Sequence, residues 1–164
     1  MRIFHSWLLC SLFLCSCKPE PSAKATASKT DIPVAEQLLG TWEIVELNVT
    51  CPTCEGQDST MVQHITESDW GPLYGAKPAQ TRYLPNGKLE RTYYFRDGTI
   101  ADVSHGLWSV QGDTLRQIEP SVVFYYRHEL LEERLKLSGT IDFDRDGAAD
   151  DDYQASFRLV ARTQ

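Results

Sequence analysis

The sequence lacks the signatures of the common catalytic sites. It holds no Gly-x-Ser-x-Gly nucleophile elbow, no phosphate-binding P-loop and no His-Glu-x-x-His zinc motif. Asp102, Ser104 and His105 lie close together in the chain. Adjacent residues of a strand point to opposite faces, so these three are not expected to form a triad. We therefore predict that the chain is not an enzyme.

Positive charge is also scarce. Sixteen Lys and Arg residues stand against 23 Asp and Glu residues, a formal net charge of −7. Proteins that bind nucleic acid neutralise its phosphates with basic side chains. Because this chain is net negative, nucleic acid is not expected as a partner. The 164 residues suffice for one domain, and the 41% hydrophobic and 24% charged content is typical of a globular chain.

Long hydrophobic runs are missing too, and the one apolar stretch without charge is short. It covers residues 7–14 and follows a single basic residue, Arg2. A basic start and a short apolar segment are typical of a secretory signal, and this segment is too short to span a bilayer permanently.

The residues after this stretch, Leu14-Cys15-Ser16-Cys17, resemble the bacterial lipobox. Only Cys17 fits as the modified residue, because bulky Leu14 precedes Cys15. The resemblance implies cleavage after Ser16 and acylation of Cys17, so that acyl chains anchor the protein in a membrane. The alternative is an ordinary cleaved signal followed by a chance cysteine.

Three segments follow from this interpretation. Residues 1–16 are the signal peptide, residues 17–34 are the lipidated cysteine and a flexible tether rich in Lys, Pro, Ala, Ser and Thr, and residues 35–164 form the folded domain. The expected location is the bacterial cell envelope. Lys18, rather than Asp, follows the anchor, which in enteric-type bacteria favours the outer membrane, facing the periplasm.

Short strand-like runs separated by glycine-containing turns fill the domain. Pairs such as Asn86-Gly87 and Asp97-Gly98 are typical of tight hairpins. Several runs alternate apolar and polar residues, which predicts strands with one buried and one wet face. We predict an all-β fold, an antiparallel up-and-down barrel of about eight strands with a short N-terminal helical turn. In the first strand Trp42 and Ile44 are out of phase with Leu47, which predicts a bulge.

Residues 36–42 (EQLLGTW) and the hairpins at 95–99 and 106–115 resemble those of small bacterial lipocalin-like (calycin) lipoproteins. In that family the tryptophan after the glycine closes one barrel end, under an arginine from the last strand. The resemblance implies these roles for Gly40 and Trp42, with Arg158 and Arg162 as candidate arginines. Plain core packing would equally account for Trp42.

The same resemblance implies a small apolar or amphipathic ligand inside the barrel. The long connection over residues 51–80 takes the place of the family's lid, and Trp70, Leu73 and Tyr74 either cover the barrel mouth or pack locally. Cys51-Pro-Thr-Cys54-Glu-Gly also resembles the CxxC-x-Gly segment of the copper-homeostasis, envelope-stress lipoproteins. The alternative function is therefore an envelope interaction or stress-sensing protein with a packed barrel and no ligand.

Cys51 and Cys54 predict a disulfide, because two thiols this close usually oxidise outside the cytoplasm. A zinc site is the alternative, with His64 as the nearest histidine. The thioredoxin-like redox motif needs a βαβ context that is missing here.

The loop at residues 142–152 carries six Asp and one Arg, a net charge of −5. Its spacing resembles calcium-binding loops, which place carboxylates at alternate positions and a glycine at the sixth. The spacing predicts a weak, structural Ca²⁺ site, since the bidentate Glu of an EF-hand is missing. An acidic, solvated hairpin tip is the alternative. The predicted ligands are Asp142, Asp144, Asp146, the carbonyl of Ala148, and Asp150, and Asp151 and Asp152 are candidates for the last oxygens.

Overall fold

Nine strands and two short helices make up the part of the chain that the structure, a computed structural model, describes: residues 32–54 and 57–163. The predicted signal peptide, Cys17 and the tether up to residue 31 lie outside the described residues. The elements are α1 (Val34–Leu38), β1 (Gly40–Cys51), β2 (Met61–Thr66), α2 (Trp70–Tyr74), β3 (Ala76–Tyr83), β4 (Lys88–Phe95), β5 (Ile100–Gln111), β6 (Thr114–Glu119), β7 (Val122–Leu131), β8 (Arg134–Ile141) and β9 (Asp151–Arg162).

Each strand from β3 to β9 pairs antiparallel with the next, and β9 pairs with β1 along most of its length. Because β1 also pairs with β3, these eight strands close into a barrel. The prediction of an all-β, up-and-down barrel is confirmed. Tight hairpins join most strands, with positive φ at the predicted turn glycines Gly87 (71°) and Gly98 (92°).

The extra strand β2 explains how the barrel opens at one end. β1 pairs with β3 only through residues 40–43, and residues 46–51 pair with β2 instead. The second half of β1 therefore separates from β3, and α2 lies in the connection between β2 and β3. Among the described residues, no helix is both long and apolar enough to cross a membrane.

The predicted bulge in β1 is present at Val45. Ile44 pairs with Phe157 and Glu46 pairs with Ser156, which leaves Val45 without an opposing residue. The extra residue shifts the alternation by one, so that residues before and after it bury their side chains on the same face of the barrel wall. The buried hydrophobic side chains of β1 are Trp42, Ile44, Leu47, Val49 and Cys51.

Helix α1 closes the end of the barrel where β1 begins. The Trp42 Nε1–H donates a hydrogen bond to the carbonyl of Leu38 over 2.8 Å, and the Trp42 side chain is fully buried. Arg162 lies over the indole, with its guanidinium carbon 5.9 Å from the ring centroid. At Gly40 (φ 145°) a Cβ would lie 2.5 Å from the carbonyl oxygen of Ala161, so no side chain fits there.

Arg158 does not take part in this closure. It lies on the outer face of β9, where its guanidinium pairs with the carboxylates of Glu43 and Glu67. Alternation alone would place Arg158 and Arg162 on the same face. The extra residue of β9 at Val160, between the pairs Thr41–Ala161 and Trp42–Leu159, shifts the phase and accounts for the difference. Of the two candidate arginines, the structure therefore places only Arg162 on Trp42.

Candidate functional site

A cavity of about 260 Å³ lies inside the barrel, toward the end opposite α1. Its volume is near the lower limit of ligand pockets, which are about 300–1,000 Å³. The wall comes from most of the strands and is mainly apolar and aromatic. The side chains that line it include Ile44, Leu47, Trp70, Ala79, Tyr93, Phe124, Tyr126, Ile141, Phe143, Tyr153 and Phe157.

Arg91 supplies the main charge on the cavity wall. Its Nη1 lies 2.6 Å from Glu119 Oε1, Nη2 donates to Gln117 Oε1 over 2.9 Å, and Nε donates to Thr81 Oγ1 over 3.3 Å. Burial disfavours the charge on the guanidinium, but the carboxylate of Glu119 overrides this effect and raises the pKa of Arg91. The guanidinium of Arg91 is therefore held at the cavity wall by three side chains, one of them a carboxylate.

Two tyrosine hydroxyls and one indole N–H add donors to the wall. Burial raises the pKa of Tyr153 to about 12 and also raises that of Tyr126, so both hydroxyls keep their protons. Within residues 32–54 and 57–163, the buried Nε1 of Trp70 has no hydrogen-bond partner. A buried donor without an acceptor is costly, so the indole N–H favours a bound molecule that carries an acceptor.

Helix α2 brings Trp70 to the mouth of the cavity. Gly75 ends the helix in the left-handed conformation (φ 62°), which turns the chain into β3. The indole lines the cavity and contacts the ring of Tyr74 at a centroid distance of 5.5 Å. Leu73 and Tyr74 are 64% and 51% exposed. Of the three apolar residues of this connection, Trp70 alone is a wall residue of the cavity.

The loop between β8 and β9 lies at the same end of the barrel. Asp142 and Asp144 come together with Asp151, and each of the three offers a carboxylate oxygen within 4.8 Å of the other two. Asp142 Oδ2 also accepts a hydrogen bond from the Gly147 N–H. Two of the predicted calcium ligands therefore converge, with Asp151 as the third member.

The other predicted ligands lie elsewhere in the loop. Asp146 Oδ1 accepts a hydrogen bond from the Ala148 N–H over 2.8 Å, which closes a turn. Asp150 Oδ2 accepts one from Thr53 Oγ1 over 3.2 Å, which ties the loop to the residues after β1. Asp146 and Asp150 are not members of the carboxylate cluster that the described residues form.

Asp151 has a larger role in the carboxylate cluster than the spacing of the loop predicts. It is fully buried, and its Oδ2 accepts hydrogen bonds from the backbone N–H groups of Phe143 (2.5 Å) and Asp144 (3.3 Å). The signal was present in the sequence, because Asp151 is in phase with Tyr153 and Ala155 on the apolar face of the last strand.

The bridge predicted between Cys51 and Cys54 is not formed among the described residues. Cys51 is the last residue of β1, and its thiol points into the barrel next to Asp151. Cys54 lies beyond the turn, and its Sγ is 3.9 Å from the Sδ of Met61 in β2. Burial and the neighbouring carboxylates raise the pKa of Cys51 to about 12, so this thiol stays protonated. Neither cysteine joins His64 in a metal cluster within the described part of the chain.

No protein-family model matches the sequence, and no curated protein matches it. The function of the chain is therefore inferred from its cavity and its acidic loop.

Proposed function

We propose that this chain is a lipid-anchored, lipocalin-like protein of the bacterial cell envelope that binds a small amphipathic molecule inside its barrel. The observation that carries the proposal is the combination of an apolar cavity with a buried donor that lacks an acceptor. Apolar wall residues favour a hydrocarbon part of the ligand, and the Trp70 N–H favours an acceptor group on it.

The charge on Arg91 narrows the class of ligand further. Arg91 lines the cavity, and its partner Glu119 is not among the lining residues. The cavity surface thus presents donors and a cation. A short-chain carboxylate or a neutral molecule with carbonyl oxygens is favoured over an amine of the same length.

Octanoate and octylamine make a suitable pair of probes, because they share a hydrocarbon chain and differ in the polar group. Titration of the full-length chain, followed by tryptophan fluorescence and calorimetry, is expected to show tighter binding of octanoate. Ala79→Leu, which fills the cavity from β3, should weaken binding. Ala101→Leu is the matched control, because Ala101 is exposed on β5. Equal binding of the two probes, or equal loss in the two variants, would contradict the proposal.

A second function is favoured if neither probe binds and if native mass spectrometry finds no small molecule on protein isolated from the envelope. The barrel would then be a packed scaffold, and the protein would act in envelope interaction or stress sensing through its surface.

The anchor is tested separately. Cys17 alone satisfies the lipobox pattern, so Cys17→Ala should abolish labelling by a palmitate analogue and release the processed chain from the membrane fraction. Cys15→Ala is the control, since Cys15 does not fit the pattern and its loss should leave labelling unchanged. Continued labelling of Cys17→Ala would refute the lipid anchor.

A further inference from the structure

We infer that the loop between β8 and β9 binds one Ca²⁺ through the carboxylates of Asp142, Asp144 and Asp151. One oxygen from each residue lies within 4.8 Å of the other two. Calcium binds oxygen at about 2.3–2.6 Å, so two oxygens on opposite sides of one ion are about 5 Å apart. The three oxygens therefore already lie within the span of a single calcium ion.

Unsatisfied buried oxygens are the second, independent observation. The Asp151 side chain has no exposed surface, and its Oδ1 has no N–H or O–H partner among the described residues. The thiol of Cys51, which is a weak donor, lies beside this carboxylate. The Oδ1 of Asp142 is also buried without a partner in the same part of the chain. Neither residue forms an ion pair with a described Lys or Arg. Carboxylate oxygens in this situation need a positive partner, and a cation between the three side chains would supply it.

The donor chemistry selects calcium among the common cations. Three carboxylates form a hard, all-oxygen set, whereas zinc prefers sulfur and nitrogen ligands. Calcium accepts six to eight oxygens in loose geometry, and magnesium demands a regular octahedron at shorter distances. Because three side chains leave the other positions to water or carbonyl oxygens, the site should be weak, with a Kd on the order of 10⁻⁴–10⁻³ M, as in other extracellular modules.

The ligand set differs from the one that the spacing of the loop predicts. Asp150 belongs to the predicted set but bonds to Thr53, and Asp151 replaces it in the cluster. This difference gives the experiment its matched control. Asp144→Asn should weaken calcium binding, whereas Asp150→Asn removes the same charge from the same loop and should not. Asp151 is not substituted, because it also holds two backbone N–H groups.

The experiment is calorimetric titration of the chelator-treated, full-length chain with CaCl₂ and, in parallel, with MgCl₂. We expect one calcium per chain, an increase in Kd of about tenfold or more for Asp144→Asn, and a change within about twofold for Asp150→Asn. Calcium should also raise the melting temperature of the wild type and of Asp150→Asn, because it binds only the folded loop.

Three results would overturn the site. The first is the absence of binding heat and of a melting shift in the wild type at millimolar calcium. The second is an equal shift with magnesium, which would show general screening of an acidic loop. The third is an equal loss in the two variants, which would show that the total charge of the loop matters and the cluster does not.

Discussion

The ion pair between Arg91 and Glu119 gives the sharpest test of how the barrel is held together. Their side chains are only 20% and 12% exposed, and the guanidinium also bonds to Gln117 and Thr81. Arg91→Met keeps the length of the side chain but leaves the carboxylate of Glu119 largely buried without its partner. Removing one member of a buried pair costs about 3–5 kcal/mol, so we expect a loss of that size in the free energy of unfolding.

The assay is urea denaturation followed by tryptophan fluorescence. With an m-value of about 1–3 kcal/mol/M, a loss of about 4 kcal/mol lowers the midpoint by about 1.5–4 M. Arg91→Met combined with Glu119→Leu removes both charges and should recover most of this loss, because an apolar pair of similar volume replaces a buried ion pair at little cost.

An exposed pair on neighbouring strands serves as the control. Arg82 on β3 and Glu90 on β4 lie 3.2 Å apart, with side chains 50% and 31% exposed. Arg82→Met should cost less than about 1 kcal/mol. The reasoning fails if Arg91→Met is no more harmful than Arg82→Met, or if the double variant is as unstable as Arg91→Met alone.

Three further predictions concern the strands and the thiols. Gly106→Ala should destabilise the barrel by about 1–3 kcal/mol in the same urea assay, because a Cβ there would lie 2.3 Å from the carbonyl oxygen of Ile118. Burial raises the pKa of Tyr83 above its ordinary 10.0. The protonated hydroxyl therefore contributes to the free energy of unfolding below that pH, and this contribution is lost as the pH rises further. Tyr83→Phe should therefore lose less stability than the wild type on going above pH 10.0; equal losses would contradict this assignment. Cys51, which is fully buried, should react with a maleimide only after unfolding. Reaction of Cys51 in the native protein would contradict its burial.

The barrel was predictable because its signals are local. Alternation within each run sets which face is buried, and glycine at the turns sets where a strand ends, so the strand pattern follows from residues near one another in the chain. The bulge at Val45 was predictable for the same reason. Trp42 and Leu47 must both reach the core, and a regular strand places them on opposite faces.

The open end of the barrel was not predictable from such signals. β2 and α2 lie in a stretch that the sequence presents as one long connection. β2 pairs with the second half of β1, where β1 has separated from β3. This pairing joins residues distant in the chain, so local patterns do not predict it. Asp151 shows a weaker form of the same limit. Its phase with Tyr153 and Ala155 indicates an inward side chain, but its neighbours in the chain are acidic and polar. The pairing of Asp151 with Ile141 shows that β9, and with it the buried face, extends to this residue.

Phe143 connects the two proposed sites, and the connection is itself testable. It lies between two of the calcium ligands, Asp142 and Asp144, its backbone N–H bonds to the third, Asp151, and its side chain lines the cavity.

A cation that fixes this loop would also fix the phenyl ring at the cavity mouth. Octanoate binding would then lose less conformational entropy, because the ring is already ordered. We expect calcium to tighten octanoate binding by about fivefold, the lower end of typical coupling, and octanoate to tighten calcium binding by the same factor. Calorimetric titration of calcium with and without octanoate, and of octanoate with and without calcium, measures both factors.

Phe143→Ala should abolish the coupling while leaving calcium binding in place, because it removes the ring and keeps the backbone N–H. Coupling that survives in Phe143→Ala would show that the cation acts on the cavity by another route, and full independence of the two ligands in the wild type would show that the loop is already fixed without the ion.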